Sequence, residues 1–402
     1  MIIAWQMRQN LGILATLWYN RGMKIAILGR QPEFGVAELW AVGADDVQLL
    51  TPEVAEFDGV SLEIDRLGSV KKLGEVIFTT ARARLAPEIK KWAQKTLLPE
   101  LTKEGERHKI TLGVSAYGGR ISAKEVFNLG VVAKKVLRAN DISVRLVPNS
   151  ESELSTAQSF HNGLASSPYK IELIVVMQGE RVVVARMEGV QNPDAYAARD
   201  QKRPKRDAFV GMLPPKLAQT MVNLATGGRA GLRLLDPFCG TGVILQEALL
   251  LGCEACGSDI APKMVDYSRQ NLEWLGAGGK FELEVGDATR QQWQGRIDAV
   301  ASEIYLGSPM SKPPGFAKAQ VLQREAEELL ENFLANLAPQ LESGVRLCLA
   351  IPAWRQENGG FRRLNLDFLG RLEYNRGGRS RDLLYAREQQ IVARDLIILE
   401  KK

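Results

Sequence analysis

Three acidic residues, Asp236, Asp259 and Asp287, stand where successive β-strands would end. The run from Leu232 to Leu235 leads into Asp236-Pro237-Phe238-Cys239-Gly240-Thr241-Gly242, and Val243–Leu250 beyond it has helical character. Strand, glycine turn and helix together make a ligand cradle. Gly240 and Gly242 can take backbone angles closed to other residues and let a ligand approach the main chain. The helix start beyond them presents unpaired N–H groups. The turn lacks G-x-G-x-x-G, which argues against a dinucleotide pyrophosphate, and lacks G-K-[ST], which argues against a nucleoside triphosphate. A ligand with a cationic centre suits Asp236 better. Asp259 closes a second strand, Gly252–Ile260, about twenty residues past the turn, where nucleoside-binding α/β folds place a carboxylate on ribose hydroxyls. Asp287 follows a third short run from Phe281. Three such carboxylates line one edge of a parallel sheet, the edge at which open α/β sheets bind ligands.

The string D-P-F-C-G-T-G, followed by an acid and then by G-D-A, resembles the S-adenosyl-L-methionine site of class I methyltransferases that act on RNA. The resemblance implies that cofactor. It places Asp236 near the methionine moiety, with Pro237, Phe238, Gly240 and Gly242 in the same turn. Asp259 and Ile260 then hold the ribose, and Asp287 and Ala288 meet the adenine. A fourth strand, Ile297–Ala301, leads into Ser302-Glu303-Ile304-Tyr305. Amino-methylating relatives carry [DNS]-P-P-[YF] here. An exocyclic amine delocalised into its ring is a poor nucleophile. Oxygen acceptors that take its hydrogens turn the lone pair toward the methyl group, and an aromatic residue stacks on the flipped base. Both prolines are missing in this chain. In one register Ser302 is the acceptor and Tyr305 the stacker; in the other, Glu303 is the acceptor.

These motifs need positioning elements, and 402 residues suffice for two or three domains. Apolar content of 45% and charged content of 25% are globular values, and the net charge of +5 permits a nucleic-acid partner without demanding one. Four cysteines and two histidines make neither a disulfide framework nor a zinc site, so we expect no metal and a reduced, cytoplasmic protein. Residues 1–22 are too interrupted by polar residues to span a bilayer, and no membrane association is expected. We expect translation to start at Met23, with the preceding segment disordered or outside the protein. Residues 23–86 read as a small α/β domain.

Residues 87–190 alternate helices and strands, with Gly-Val-Ser-Ala-Tyr-Gly at 113–118 and a basic helix over Ala123–Ala139. This order resembles the THUMP domain, an RNA-binding module of RNA-modifying enzymes. Lys134, Lys135 and Arg138 on that helix are candidate RNA contacts. So are Lys202, Arg203, Lys205 and Arg206 in a basic linker over 191–211, since cations beside a catalytic domain suit phosphate contacts. Leu-Pro-Pro-Lys-Leu-Ala at 213–218 then opens the last domain, 212–402. That sequence, with the THUMP-like region, resembles the archaeal and eukaryotic tRNA guanosine-N2 methyltransferases.

The expected fold is α/β. A C-terminal Rossmann-like class I methyltransferase domain has a mostly parallel seven-stranded sheet with an antiparallel last strand. It follows an N-terminal α/β RNA-binding region. The expected partner is tRNA, and the expected reaction is methylation of a guanosine N2 amine. An rRNA guanine-N2 methyltransferase and a non-catalytic RNA-binding protein with a degenerate methyltransferase domain are the alternatives.

Overall fold

The computed structural model describes residues 22–102, 108–207, 212–276, 280–379 and 382–402. The expectation about the amino-terminal extension lies outside these, apart from Gly22. The chain groups into two compact units. One comprises the segment ending at Ala26 with Gln48–Asp58 and Lys72–Val190; the other comprises Ile27–Val47, Gly59–Lys71 and Gln191–Lys402.

One sheet has eight strands. They are β1 (Lys24–Leu28), β2 (Asp45–Thr51), β3 (Val54–Asp58), β4 (Val70–Ala81), β5 (Ile110–Tyr117), β6 (Val144–Leu146), β7 (Lys170–Gln178) and β8 (Arg181–Val190). Their order is β2-β3-β1-β4-β8-β7-β5-β6. β7 and β8 form an antiparallel pair, while β5 lies parallel to both β7 and β6. The valine- and isoleucine-rich β7 and β8 suit a pleated, buried surface. Alternate residues of β5, β7 and β8, such as Val114, Val175 and Val184, share a core with Val126, Ala133 and Leu137 of the helix Ala123–Arg138. Ser122 and Glu125 close a capping box at that helix's start, satisfying two of its unpaired donors. Its buried stripe leaves Lys135 and Arg138 exposed and Lys134 half-buried.

The second unit is built on β9 (Arg233–Asp236), β10 (Glu254–Asp259), β11 (Phe281–Val285), β12 (Ala299–Glu303), β13 (Arg346–Arg355), β14 (Phe361–Arg362), β15 (Tyr374–Arg376), β16 (Leu384–Tyr385) and β17 (Val392–Lys401). The order is β11-β10-β9-β12-β13-β17-β15, with β14 on β13 and β16 on β17. β11, β10, β9, β12 and β13 are parallel, and β17 is antiparallel to β13. The seven-strand path and antiparallel last strand match the expectation; the two short strands β14 and β16 are additions to it. The sheet order reverses at β9, whose neighbours are β10 and β12, and a ligand crevice forms at the carboxyl ends of strands around such a point. Leu235, Val300, Leu347 and Leu349 face Leu330, Phe333 and Leu337 of the helix Phe316–Leu337 on one side. Leu234, Ala299 and Cys348 face Met221, Ala225 and Ile244 on the other.

Residues 23–86 do not form a unit of their own. The helix Pro32–Ala41 puts Phe34 and Ala37 into the core that holds Leu217, Met221 and Leu224. Its buried Glu38 carboxylate accepts the Gly68 and Ser69 N–H groups and the Asn223 amide. These contacts fasten 27–47 and 59–71 to the helix Pro215–Thr226, whose first turn contains Pro215 as expected of that residue. Nor is the stretch after 190 a free linker: Pro193–Ala197 and Ala198–Lys202 are helical turns.

Candidate active site: a carboxylate-edged cavity

A cavity of about 470 Å³ opens at the carboxyl ends of β9, β10 and β12. Asp236, Pro237, Phe238, Gly240, Asp259, Ile260, Asp287 and Ala288 all line it. One expected residue does not. Gly242, at φ 79°, starts the helix Val243–Leu250 with its α-carbon turned to Ser268, where an added Cβ would come 2.7 Å from Oγ. It shapes the turn and lies off the cavity lining. Gly240, at φ 51°, has the open face that a close approach requires.

The three carboxylates differ in setting. Asp236 is 2% exposed at the end of β9. It accepts the Ser302 hydroxyl at 2.6 Å and the Phe238 N–H at 3.3 Å. Burial pushes its pKa up to about 7, against the lowering effect of those two donors. Asp259 is held by main-chain donors, with the Gly240 N–H on Oδ2 at 3.0 Å and the Ala261 N–H on Oδ1 at 2.9 Å. A carboxylate has about four acceptor sites, so the pair leaves Asp259 capacity for two further hydroxyls. It also ties the glycine turn to β10. Asp287 accepts the Thr289 N–H and hydroxyl, which hold its pKa below the usual carboxylate range. Ile260, 71% exposed, stands beside Asp259 as an apolar wall with nothing over it.

The end of β12 and the turn after it set Ser302 and Glu303 in different places. Ser302 is 0% exposed, does not line the cavity, and directs its hydroxyl to Asp236. The expectation that Ser302 accepts an amine hydrogen is therefore corrected: its position within the sheet points it at the neighbouring strand β9. Glu303, Ile304 and Tyr305 do line the cavity. Glu303 is paired with Arg394 of β17, and burial raises its pKa while Arg394 opposes the rise. Tyr305 is 57% exposed, with its hydroxyl 3.4 Å from that of Ser308. The Ile304 N–H donates to the Ala350 carbonyl, which fixes the turn without prolines. Arg394 escaped the sequence reading. Its signal was an Arg-Asp pair inside the apolar strand Val392–Lys401, a costly insertion that needs a partner.

The candidate RNA contacts are scattered. Lys134, Lys135 and Arg138 share the helix in the first unit, whereas Lys202, Arg203, Lys205 and Arg206 belong to the second. Lys202 and Arg206 are exposed and Lys205 half-buried. Arg203 is corrected, because it is only 3% exposed and its guanidinium reaches the Met212 sulfur at 3.0 Å. Burial lowers its pKa. The four cysteines are free and buried, Cys256 and Cys348 within strands, Cys239 in the turn after β9 and Cys253 just before β10. Among the described residues no helix is long and apolar enough to cross a membrane.

Fold and site together give a Rossmann-like domain with a carboxylate-edged cavity, and residues 203–358 match the model of the UPF0020 family, described as an RMKL-like methyltransferase domain. The chain is 34% identical over 185 residues to the tRNA (guanine(10)-N2)-dimethyltransferase of Methanothermobacter thermautotrophicus, covering 46% of this chain and 51% of that protein. It is 35% identical over 144 residues to the enzyme of the same name from Pyrococcus abyssi, covering 35% and 39%. The chain thus spans about half or less of these curated relatives. The crystal structure of TrmN from Thermus thermophilus is similar at 17% identity and a TM-score of 0.49, over 94% of this chain and all of that one.

Proposed function

We propose that the protein transfers a methyl group from S-adenosyl-L-methionine to the exocyclic N2 amine of a guanosine in tRNA. The observation that carries this reading is the placement of Glu303 and Tyr305 on the cavity that also holds the strand-end acids. The cavity's residues fit the cofactor: a buried carboxylate for a cationic moiety, a second with free acceptor sites for ribose hydroxyls, and an apolar wall for a base. When bound, that cofactor supplies an electrophilic methyl group.

The chain's own groups do the rest. Asp236 holds negative charge deep in the crevice, and Ser302 orients it. Glu303 accepts a hydrogen bond from the amine N–H through the lone pairs that Arg394 leaves open, and so turns the nitrogen lone pair into the crevice. Arg394 opposes the rise that burial imposes on the Glu303 pKa and holds the carboxyl in place. Tyr305 offers its exposed ring as the stacking face for the extruded base. Asp259 and Asp287, which line the same cavity, would hold the donor's ribose and adenine. The cation-bearing helix of the first unit and the exposed Lys202 and Arg206 hold phosphates without reading sequence. We place the protein in the cytoplasm, where its four free thiols and a tRNA substrate belong.

A second reading, RNA binding without transfer, draws support from the Glu303–Arg394 pair, which occupies part of the acceptor's capacity. One assay separates the two. Labelled cofactor and tRNA are offered to the wild type, Glu303→Gln and Tyr305→Ala, with binding of both ligands confirmed in each. The proposal expects transfer by the wild type and at least tenfold less by each variant. Binding of both ligands with no transfer to any tRNA favours the second reading.

A further inference from the structure

A second and larger cavity, of about 640 Å³, lies wholly within the same unit as the carboxylate-edged one. Arg30, Lys71, Lys216 and Arg387 line it, opposed by one lining carboxylate, Asp200. None of the four cations has a carboxylate within ion-pair distance among the described residues. The lysine of the Leu-Pro-Pro-Lys sequence is built into this wall. Lys216 Nζ donates to Gln191 Oε1 at 2.6 Å and lies 4.8 Å over the Tyr196 ring. Gln191 is fixed in turn, its amide donating to the Leu67 and Gly68 carbonyls at 2.6 and 3.1 Å. Partial burial, then Lys71, then Arg199 lower the Lys216 pKa, so every resolved influence disfavours its charge and an anion would relieve it. Arg30 and Arg387 are exposed and Lys71 is half-buried, which leaves them open to solvent at the wall. Beside them Tyr385 offers a half-buried ring, braced edge-to-face on Phe34 at 6.0 Å.

The two cavities are neighbours along the chain and across the sheet. Leu213 lines the first and Pro214 the second. Tyr385 of the second is paired across β16 and β17 with Arg394, the partner of Glu303.

We propose that this basic cavity seats a phosphate-bearing nucleotide of the RNA chain beside the one delivered to the methyl-transfer cavity, with Arg30, Lys71, Lys216 and Arg387 on phosphate oxygens and Tyr385 against the sugar or base. The inference rests on the RNA-methylating reading, whose own candidates did not include these residues. Cations from four separated segments around an aromatic ring form a groove that tracks a backbone and stacks a base. The adjacent lining residues Leu213 and Pro214 of the two cavities favour a polymer over a free nucleotide.

The test uses the full chain and two variants, Arg30→Ala/Lys71→Ala/Arg387→Ala and Lys216→Gln. Affinity for a fluorescent unmodified tRNA transcript and for a short unstructured RNA is measured across a salt series. Melting and calorimetric titration with S-adenosyl-L-methionine establish that each variant is folded with its first cavity intact. The triple variant is expected to bind RNA at least tenfold more weakly. Its log K against log salt should be flatter by about 2, at roughly 0.7 per lost phosphate contact. Lys216→Gln should weaken RNA binding several-fold while sparing the cofactor. Unchanged RNA affinity and salt slope in a folded triple variant would overturn the inference, as would tight binding of guanosine monophosphate in place of RNA. The underlying reading is judged separately by methyl transfer. RNA bound through this cavity but not methylated refutes only the transfer, whereas equal transfer by wild type and triple variant at equal KM refutes only the cavity.

Discussion

Replacing Ser302 with alanine is expected to move the pH range over which the protein binds its methyl donor. The Asp236 carboxyl is enclosed; burial lifts its pKa to about 7, and the Ser302 hydroxyl is the first of the groups that pull it back. A hydrogen bond to a charged group is worth about 1.5–3 kcal/mol. One pKa unit corresponds to about 1.4 kcal/mol, so losing the bond raises the carboxyl by about one to two units. The sign follows from the ligand's charge. A cation is complemented by the ionised carboxylate alone, so wild-type affinity is level above pH 8 and falls as pH drops through about 7. In Ser302→Ala the fall begins at higher pH. Affinity at pH 7 should drop by about five- to fiftyfold, while at pH 9 it should lie within about twofold of the wild type. Calorimetric titration with S-adenosyl-L-methionine from pH 6 to 9 reads both curves. Superimposable curves, or a uniform loss at every pH, would refute the reasoning that Ser302 acts through the ionisation of Asp236.

Other substitutions probe the remaining contacts. Asp259→Ala should weaken cofactor binding by about 2 kcal/mol or more, since it removes a charged acceptor; calorimetry on the folded variant checks this. It also frees the Gly240 and Ala261 N–H groups, and the glycine turn should gain amide exchange. Tyr305→Ala should cost about 1–3 kcal/mol of base stacking, seen as slower methyl transfer at unchanged cofactor affinity. Glu303→Ala should lower folding stability in thermal unfolding, because it removes the carboxylate that faces the buried Arg394 guanidinium. Glu303→Gln, which keeps an acceptor, should lose much less in the same thermal unfolding experiment.

The C-terminal sheet was legible because its signals are local. Each acid follows an apolar run and precedes a turn, so Asp236, Asp259 and Asp287 could be placed on one sheet edge from spacing alone. The helix Ala123–Arg138 was legible as a local run, and the capping box of Ser122 and Glu125 that starts it is equally local. What escaped depends on pairings distant in sequence. Ser302 meets Asp236 across 66 residues, and Glu303 meets Arg394 across 91. No local pattern distinguishes a serine that faces a ligand from one that faces the next strand. Arg203 misled because a run of cations reads as a solvated face, whereas a turn at Arg203–Pro204 drives one of them inward. The assignment of 27–47 and 59–71 to the second unit was hidden likewise, since Glu38 finds Gly68 and Asn223 only after folding.

Nucleoside mass spectrometry of an unmodified tRNA transcript, incubated with the protein and isotopically labelled S-adenosyl-L-methionine, tests the central claim most directly. The account predicts label in N2-methylguanosine or its dimethyl form, reduced in Glu303→Gln and Tyr305→Ala. Label in any other nucleoside, or none in a protein that binds both cofactor and tRNA, would contradict it.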